Sequence, residues 1–96
     1  MNFFVDTGQR DAEKLKIKTS LVIEISRAIH KLGLTQEDAG QRLGIPEPKV
    51  SAILRGDFFN FSGWELIECL NCLGYDVEII VRPAMNPVGR LTLVIV

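Results

Sequence analysis

Long apolar runs are missing from this chain. The longest, Leu93 to Val96, is four residues, where a bilayer-spanning helix needs about 20, so no transmembrane segment is expected. The opening Met1-Asn2-Phe3-Phe4-Val5-Asp6 has no basic stretch and puts an acid after three apolar residues, unlike a secretory signal. Cysteine is scarce: Cys69 and Cys72 do not make the disulfide framework of a small secreted domain. An excess of positive charge is missing too. Eleven Lys and Arg against twelve Asp and Glu give a net charge of −1, whereas a dedicated non-specific nucleic-acid binder would be strongly basic, because phosphate neutralisation supplies most of its affinity. These absences point to a soluble cytoplasmic protein.

The usual signs of catalysis are also lacking. There is no Gly-rich phosphate loop, no Ser/His/Asp or Cys/His set at a recognisable spacing, and only one histidine, His30. Cys69 and Cys72 form a CxxC pair, but a zinc site needs a second pair of ligands. Three residues apart on a helix, they read instead as small apolar packing groups. His30 reads as an exposed residue favoured near a helix C-terminus. No enzymatic activity, cofactor or metal is expected.

What is present is one globular domain: 96 residues, 47% hydrophobic and 24% charged. Its charge is uneven, with six Lys/Arg and four Asp/Glu in residues 1–33 but two and four in residues 61–96, which permits a local cationic face. Hydrophobic periodicity predicts four short helices over about 11–73. Asp11 opens the first, whose apolar stripe is Leu15, Val22, Ile25, Ile29 and Leu32, and Gly33 ends it. Thr35 with Asp38 opens the second, which buries Ala39 and Leu43 and stops at Gly44. Pro46 and Pro48 allow a third helix only if both lie at its start, where amide protons have no intrahelical partner; its stripe is Val50, Ile53 and Leu54, and Gly56 ends it. Ser62 with Glu65 is a full capping box for the fourth, through Leu66, Cys69, Leu70 and Leu73 to Gly74. Beyond it, β-branched residues predict two strands, 76–82 and 90–96, joined through Pro83, Pro87 and Gly89. A lone two-stranded ribbon is marginal in water, so this one is expected to pair with a second copy of the chain.

The stretch from Leu34 to Gly56 has the construction of a helix-turn-helix. Ala39 is small where the second helix crosses, Gly44 supplies the positive φ of the turn, and Ile45 and Val50 wedge the helices apart. Glu47, Lys49, Ser51, Ala52 and Arg55 are then left free to enter a major groove.

Thr35-Gln36, Leu43-Gly44-Ile45, Val50-Ser51 and Arg55-Gly56 resemble the XRE/phage-repressor helix-turn-helix family. A longer set resembles the small XRE-like regulators that include HigA-type antitoxins: Asp11-Ala12-Glu13, Leu34-Thr35-Gln36, Pro48-Lys49-Val50-Ser51, Leu54-Arg55-Gly56, Phe61-Ser62, Leu70-Asn71 with Leu73-Gly74, and Asp76-Val77-Glu78-Ile79 through Val81-Arg82-Pro83. The resemblance implies sequence-specific binding of double-stranded operator DNA as a homodimer. It further implies autorepression and, for antitoxins, a partner toxin of the HigB/RelE type. The chain departs from the family twice, with Pro46 in place of a capping Ser or Thr and Glu47 in place of a common Gln. In a groove, a carboxylate can accept only from a donor such as the cytosine amino group.

The sequence reading is therefore a mainly α fold, a four- to five-helix XRE-type helix-turn-helix domain over 11–75. Residues 76–96 follow as a C-terminal β ribbon used in dimerisation. Residues 1–10 form a separate N-terminal segment, mobile or docked through Phe3, Phe4 and Val5. Glu47, Lys49, Ser51 and Ala52 are the expected base-reading residues, and Thr35, Gln36, Arg55 and Ser62 the expected phosphate contacts. The alternative is a protein-interaction module whose degenerate helix-turn-helix no longer binds DNA, an option favoured by Glu47 and the acidic total.

Overall fold

The structure, a computed structural model, describes the backbone of residues 3–96 and the side chains from residue 11 onward. Four helices follow one another: α1 (Phe3–Lys31), α2 (Gln36–Leu43), α3 (Glu47–Leu54) and α4 (Gly63–Cys72). The first starts eight residues before Asp11, where a cap was expected. No proline interrupts residues 3–11, and extending a helix already nucleated is far easier than starting one, so Asp11 is an interior residue of α1. The docking expected of Phe3, Phe4 and Val5 falls on side chains outside the described residues.

A helix of 29 residues is about 43 Å long, which accounts for most of the 48 Å long axis of the molecule. Only its second half joins the core. Leu21, Val22, Ile25, Ala28 and Ile29 meet Ala39 and Leu43 of α2, Val50 and Ile53 of α3, and Leu66, Cys69 and Leu70 of α4, with Phe61 and Leu73 closing the cluster. Burying each of the larger side chains contributes about 1.5–3 kcal/mol. Leu15 and Leu32, placed on the same stripe by periodicity, are half-exposed because the other helices cover neither end of that stripe.

The ends of the short helices follow their local chemistry. The Thr35 hydroxyl accepts the Asp38 N–H at 3.1 Å, and Gly44 closes α2 at φ 69°. At the fourth helix the box is complete: Glu65 N–H donates to Ser62 Oγ and Ser62 N–H donates to Glu65 Oε1, both at 3.1 Å. Pro46 precedes α3 with no side-chain cap. Its carbonyl takes over the task of holding the first turn, accepting from Lys49 N–H at 2.9 Å and Val50 N–H at 3.3 Å.

The expected β ribbon is not formed. Among the described residues there is no strand, and no backbone–backbone hydrogen bond involves residues 76–96. The β-branched residues favour extended chain, but within one molecule they have little to pair with or cover. Only Val77 and Leu93 of this segment pack on the core, while Pro83 and Pro87 lack the amide a ladder requires. The segment instead returns along the N-terminal half of α1, where Leu91 N–H donates to Glu13 Oε2 at 3.1 Å. Ile79, Ile80, Val81, Val94 and Val96 stay exposed.

Candidate nucleic-acid interface

Helices α2 and α3 meet across the turn Leu43–Pro46. Gly40 and Ala39 are both buried beneath it, and Gly40 is the point of closest approach: a Cβ there would stand 3.0 Å from the Ile45 carbonyl oxygen. The Gly40 carbonyl in turn accepts the Gly44 and Ile45 N–H groups. This double tie fixes the angle at which α3 leaves the body of the protein. Val50 and Ile53, each 0% exposed, root α3 in the core.

Rooting those two residues determines what α3 presents outward. At about 100° per residue, the direction opposite Val50 and Ile53 is occupied by Pro48, Ala52 and Arg55, one per turn, with Ser51 beside them. Pro48 and Arg55 are exposed, and Ser51 and Ala52 half-buried. Arg55 Nη1 donates to Ser51 Oγ at 2.8 Å. Glu47 is exposed on one flank of this face. Lys49 lies on the other flank, turned towards α4: its Nζ is 4.0 Å from Glu65 Oε2 and 5.2 Å from the centroid of the Phe61 ring. The four expected base readers thus fall into two groups, Ser51 and Ala52 on the outward face and Glu47 and Lys49 on opposite flanks. Pro48, which was not among them, holds the centre. Its signal was the spacing of four and seven residues to Ala52 and Arg55.

The expected phosphate contacts surround this face. Thr35 and Gln36 are exposed at the start of α2, but Glu37 and Asp38 share that turn. Carboxylates there stabilise the helix end and repel an approaching backbone phosphate. Ser62 is exposed at the start of α4, next to Glu65. The Glu65 carboxyl titrates below its ordinary range, first because Ser62 N–H donates to it, with the Ser62 hydroxyl and the charges of Lys49 and Lys18 adding to the effect. The start of α4 is therefore a mixed-charge patch, one carboxylate between two lysines.

Lys18 has a second task that the sequence does not announce. From α1 its Nζ donates to the Phe61 carbonyl at 2.8 Å, across 43 residues of chain. It thereby holds the α3–α4 connection, and with it Phe61 under the Lys49 ammonium. Two aromatic side chains of this region, Phe59 and Trp64, remain exposed. Among the described residues no group of His, Cys, Asp or Glu is arranged to hold a metal ion, and no helix is long and apolar enough to cross a membrane.

Comparisons with known proteins agree with this geometry. A family described as a helix-turn-helix domain matches residues 3–82. A solved structure whose name places it among XRE-family transcriptional regulators superposes with a TM-score of 0.78 at 35% sequence identity, covering 90% of this chain and 97% of the other. No curated protein sequence matches.

Proposed function

We propose, from the premise that this chain belongs to the family of helix-turn-helix domains, that it is a sequence-specific DNA-binding transcription regulator, acting by binding and not by catalysis. The observation that carries the reading is the outward face of α3. Its small, accessible side chains stand on a helix whose angle is fixed by the Gly40–Ile45 contact. Pro48, Ser51 and Ala52 meet base edges, Glu47 stands at the groove margin, and Lys49 reaches in from the α4 side. Gln36 and Arg55 bracket the groove, while Thr35 and Ser62 offer their hydroxyls to phosphate.

The charge distribution gives this regulator a recognisable salt behaviour. Arg55 on the face and Lys49 on its flank are cations, and Glu47 on the other flank and Glu65 beside Lys49 oppose them. With few net phosphate contacts, each contributing about −0.9 to the slope of log K against log salt, binding should be only moderately salt-dependent. The test is a titration of the full chain with DNA from upstream of its own gene, read by the fluorescence of Trp64, the sole tryptophan, and by mobility shift. Saturable binding that random duplex of equal length does not compete away is the expected result. Equal affinity for both duplexes refutes the sequence specificity, and no affinity for either refutes the reading in favour of a protein-interaction module.

A single α3 covers only a few base pairs, so specificity calls for two copies spaced about 34–36 Å apart on one duplex face. The exposed apolar segment supports a homodimer built there: Ile80 is 74% exposed and Val81 91%, on backbone that makes no backbone–backbone hydrogen bond among the described residues. Removing residues 90–96 is expected to convert a dimer into a monomer in light scattering. A monomeric full-length protein, or a truncated protein that stays dimeric, refutes that interface. Antitoxin action against a toxin of the HigB/RelE type rests on the resemblance alone. It predicts a small toxin reading frame beside this gene and a cytoplasmic complex of the two products, and the absence of that neighbour refutes it.

A further inference from the structure

We infer that α3 selects its half-site through thymine methyl groups, with Pro48 and Ala52 as the specificity-determining pair; the inference rests on the DNA-binding reading above. The central line of the outward face runs Pro48, Ala52, Arg55. Its first two members carry no side-chain donor or acceptor, and Pro48 lacks even an amide proton. The side chains that could form hydrogen bonds are engaged or off to the side. Ser51 accepts from Arg55 at 2.8 Å and sits beside the central line with only its hydroxyl proton to give. Lys49 leans on Glu65 and Phe61, Glu47 stands on the far flank, and Arg55 closes the line at its C-terminal end, beyond Pro48 and Ala52.

Base pairs in the major groove differ in what such an apolar strip would meet. Guanine offers two acceptors, cytosine an amino group and adenine one of each, while thymine alone carries a methyl group. Pressing Pro48 or Ala52 against a guanine–cytosine pair strips water from polar groups and returns no hydrogen bond, which is a penalty. Pressing either against thymine buries two apolar surfaces together. Attraction and exclusion therefore point to the same base. Residues 48 and 52 are about 6 Å apart along the helix axis, close to two steps of the duplex, so the thymines should lie one or two steps apart in each half-site.

The experiment selects duplexes from a random library with the full chain and then replaces each selected thymine by deoxyuridine, which differs only by the missing methyl. Two closely spaced thymines per half-site are expected, and each uracil should weaken binding about fourfold, the effect of one buried methyl-sized group. Pro48→Ala should weaken binding to the thymine duplex and lose that effect on the uracil duplex, since the two changes delete the same contact. Unchanged affinity of the native chain for uracil duplexes overturns the inference even if Pro48→Ala fails to fold. So does a selected half-site with guanine–cytosine pairs at those positions. If no sequence is selected at all, the DNA-binding reading fails and this inference with it.

Discussion

Replacing Gly40 by alanine sets two well-characterised effects against each other. In a helix interior alanine is favoured over glycine by about 1 kcal/mol, so on propensity alone α2 should gain. The new Cβ, however, would stand 3.0 Å from the Ile45 carbonyl oxygen and 3.7 Å from Val50 Cγ2. Carbon–oxygen contacts of this kind relax at about 3.3–3.6 Å, so the turn must retreat by a few tenths of an ångström. It is poorly able to do so, because the Gly40 carbonyl is bonded to both Gly44 and Ile45 N–H and Val50 is locked in the core. Overpacking a rigid site costs about 1–3 kcal/mol, which outweighs the propensity gain and leaves a net loss of about 1 kcal/mol.

Gly63 supplies the control. It opens α4, and a Cβ there meets nothing within 4 Å, so Gly63→Ala should stabilise by about 0.4–1 kcal/mol through the unfolded chain. In thermal melts followed by circular dichroism, Gly40→Ala should lower Tm by about 4–8 °C and Gly63→Ala should raise it slightly. A Gly40→Ala protein that melts higher than the native one, in step with Gly63→Ala, would mean that α2 and α3 do not approach as described, and the geometry of the interface would fall with it.

Folding favours the ionised Glu65, whose pKa lies below its ordinary 4.5, so its stabilisation is complete above that value and disappears as pH falls through the depressed one. Glu65→Gln should accordingly flatten the acid limb of a urea-stability profile, and an unaltered limb would show that the cap does not couple to pH. Lys18→Met removes a charge-assisted hydrogen bond to the Phe61 carbonyl and should cost about 1.5–3 kcal/mol; a melt unchanged within error contradicts that anchor. Burial pushes the Cys69 thiol up to about 11 while Cys72 is exposed. Iodoacetamide should therefore add once to the native protein and a second time only in denaturant, and equal rates at both thiols would place α4 wrongly.

The parts of the fold that sequence reasoning reached are those governed by a residue's immediate neighbours. Thr35 and Ser62 as caps, Gly44 as a left-handed turn residue, the prolines at the start of α3 and the apolar spacing of Val22, Ile25 and Ile29 each follow from a few ångströms of chain. The errors arose where distance along the chain mattered. Asp11 looks like a helix start when only its downstream side is considered, yet α1 arrives from upstream and passes through it. Gly40 is not distinguished from Ala39 by local sequence, because its importance lies in the Ile45 carbonyl, which comes near only after the turn has formed. Lys18 meets Phe61 across 43 residues, and nothing in either local sequence links them.

The C-terminal segment departs from the ribbon expected of it, whereas the interface gains a geometry that the sequence does not carry, and the contrast bears on function. Residues 76–96 have the composition of strands, but a strand is a relation between two backbones. Composition reports a readiness to pair, not the presence of a partner within the same molecule. For the interface, the expected base readers Glu47, Lys49, Ser51 and Ala52 divide between the outward face and its flanks, because Lys49 has a nearby anion in Glu65 and a ring beneath it in Phe61. An ammonium drawn to α4 and a carboxylate on the opposite flank leave the apolar Pro48 and Ala52 at the front. On the proposed reading, charge brings this protein to DNA through cations at the edge of the face, and its base preference is set by the least polar residues of its third helix.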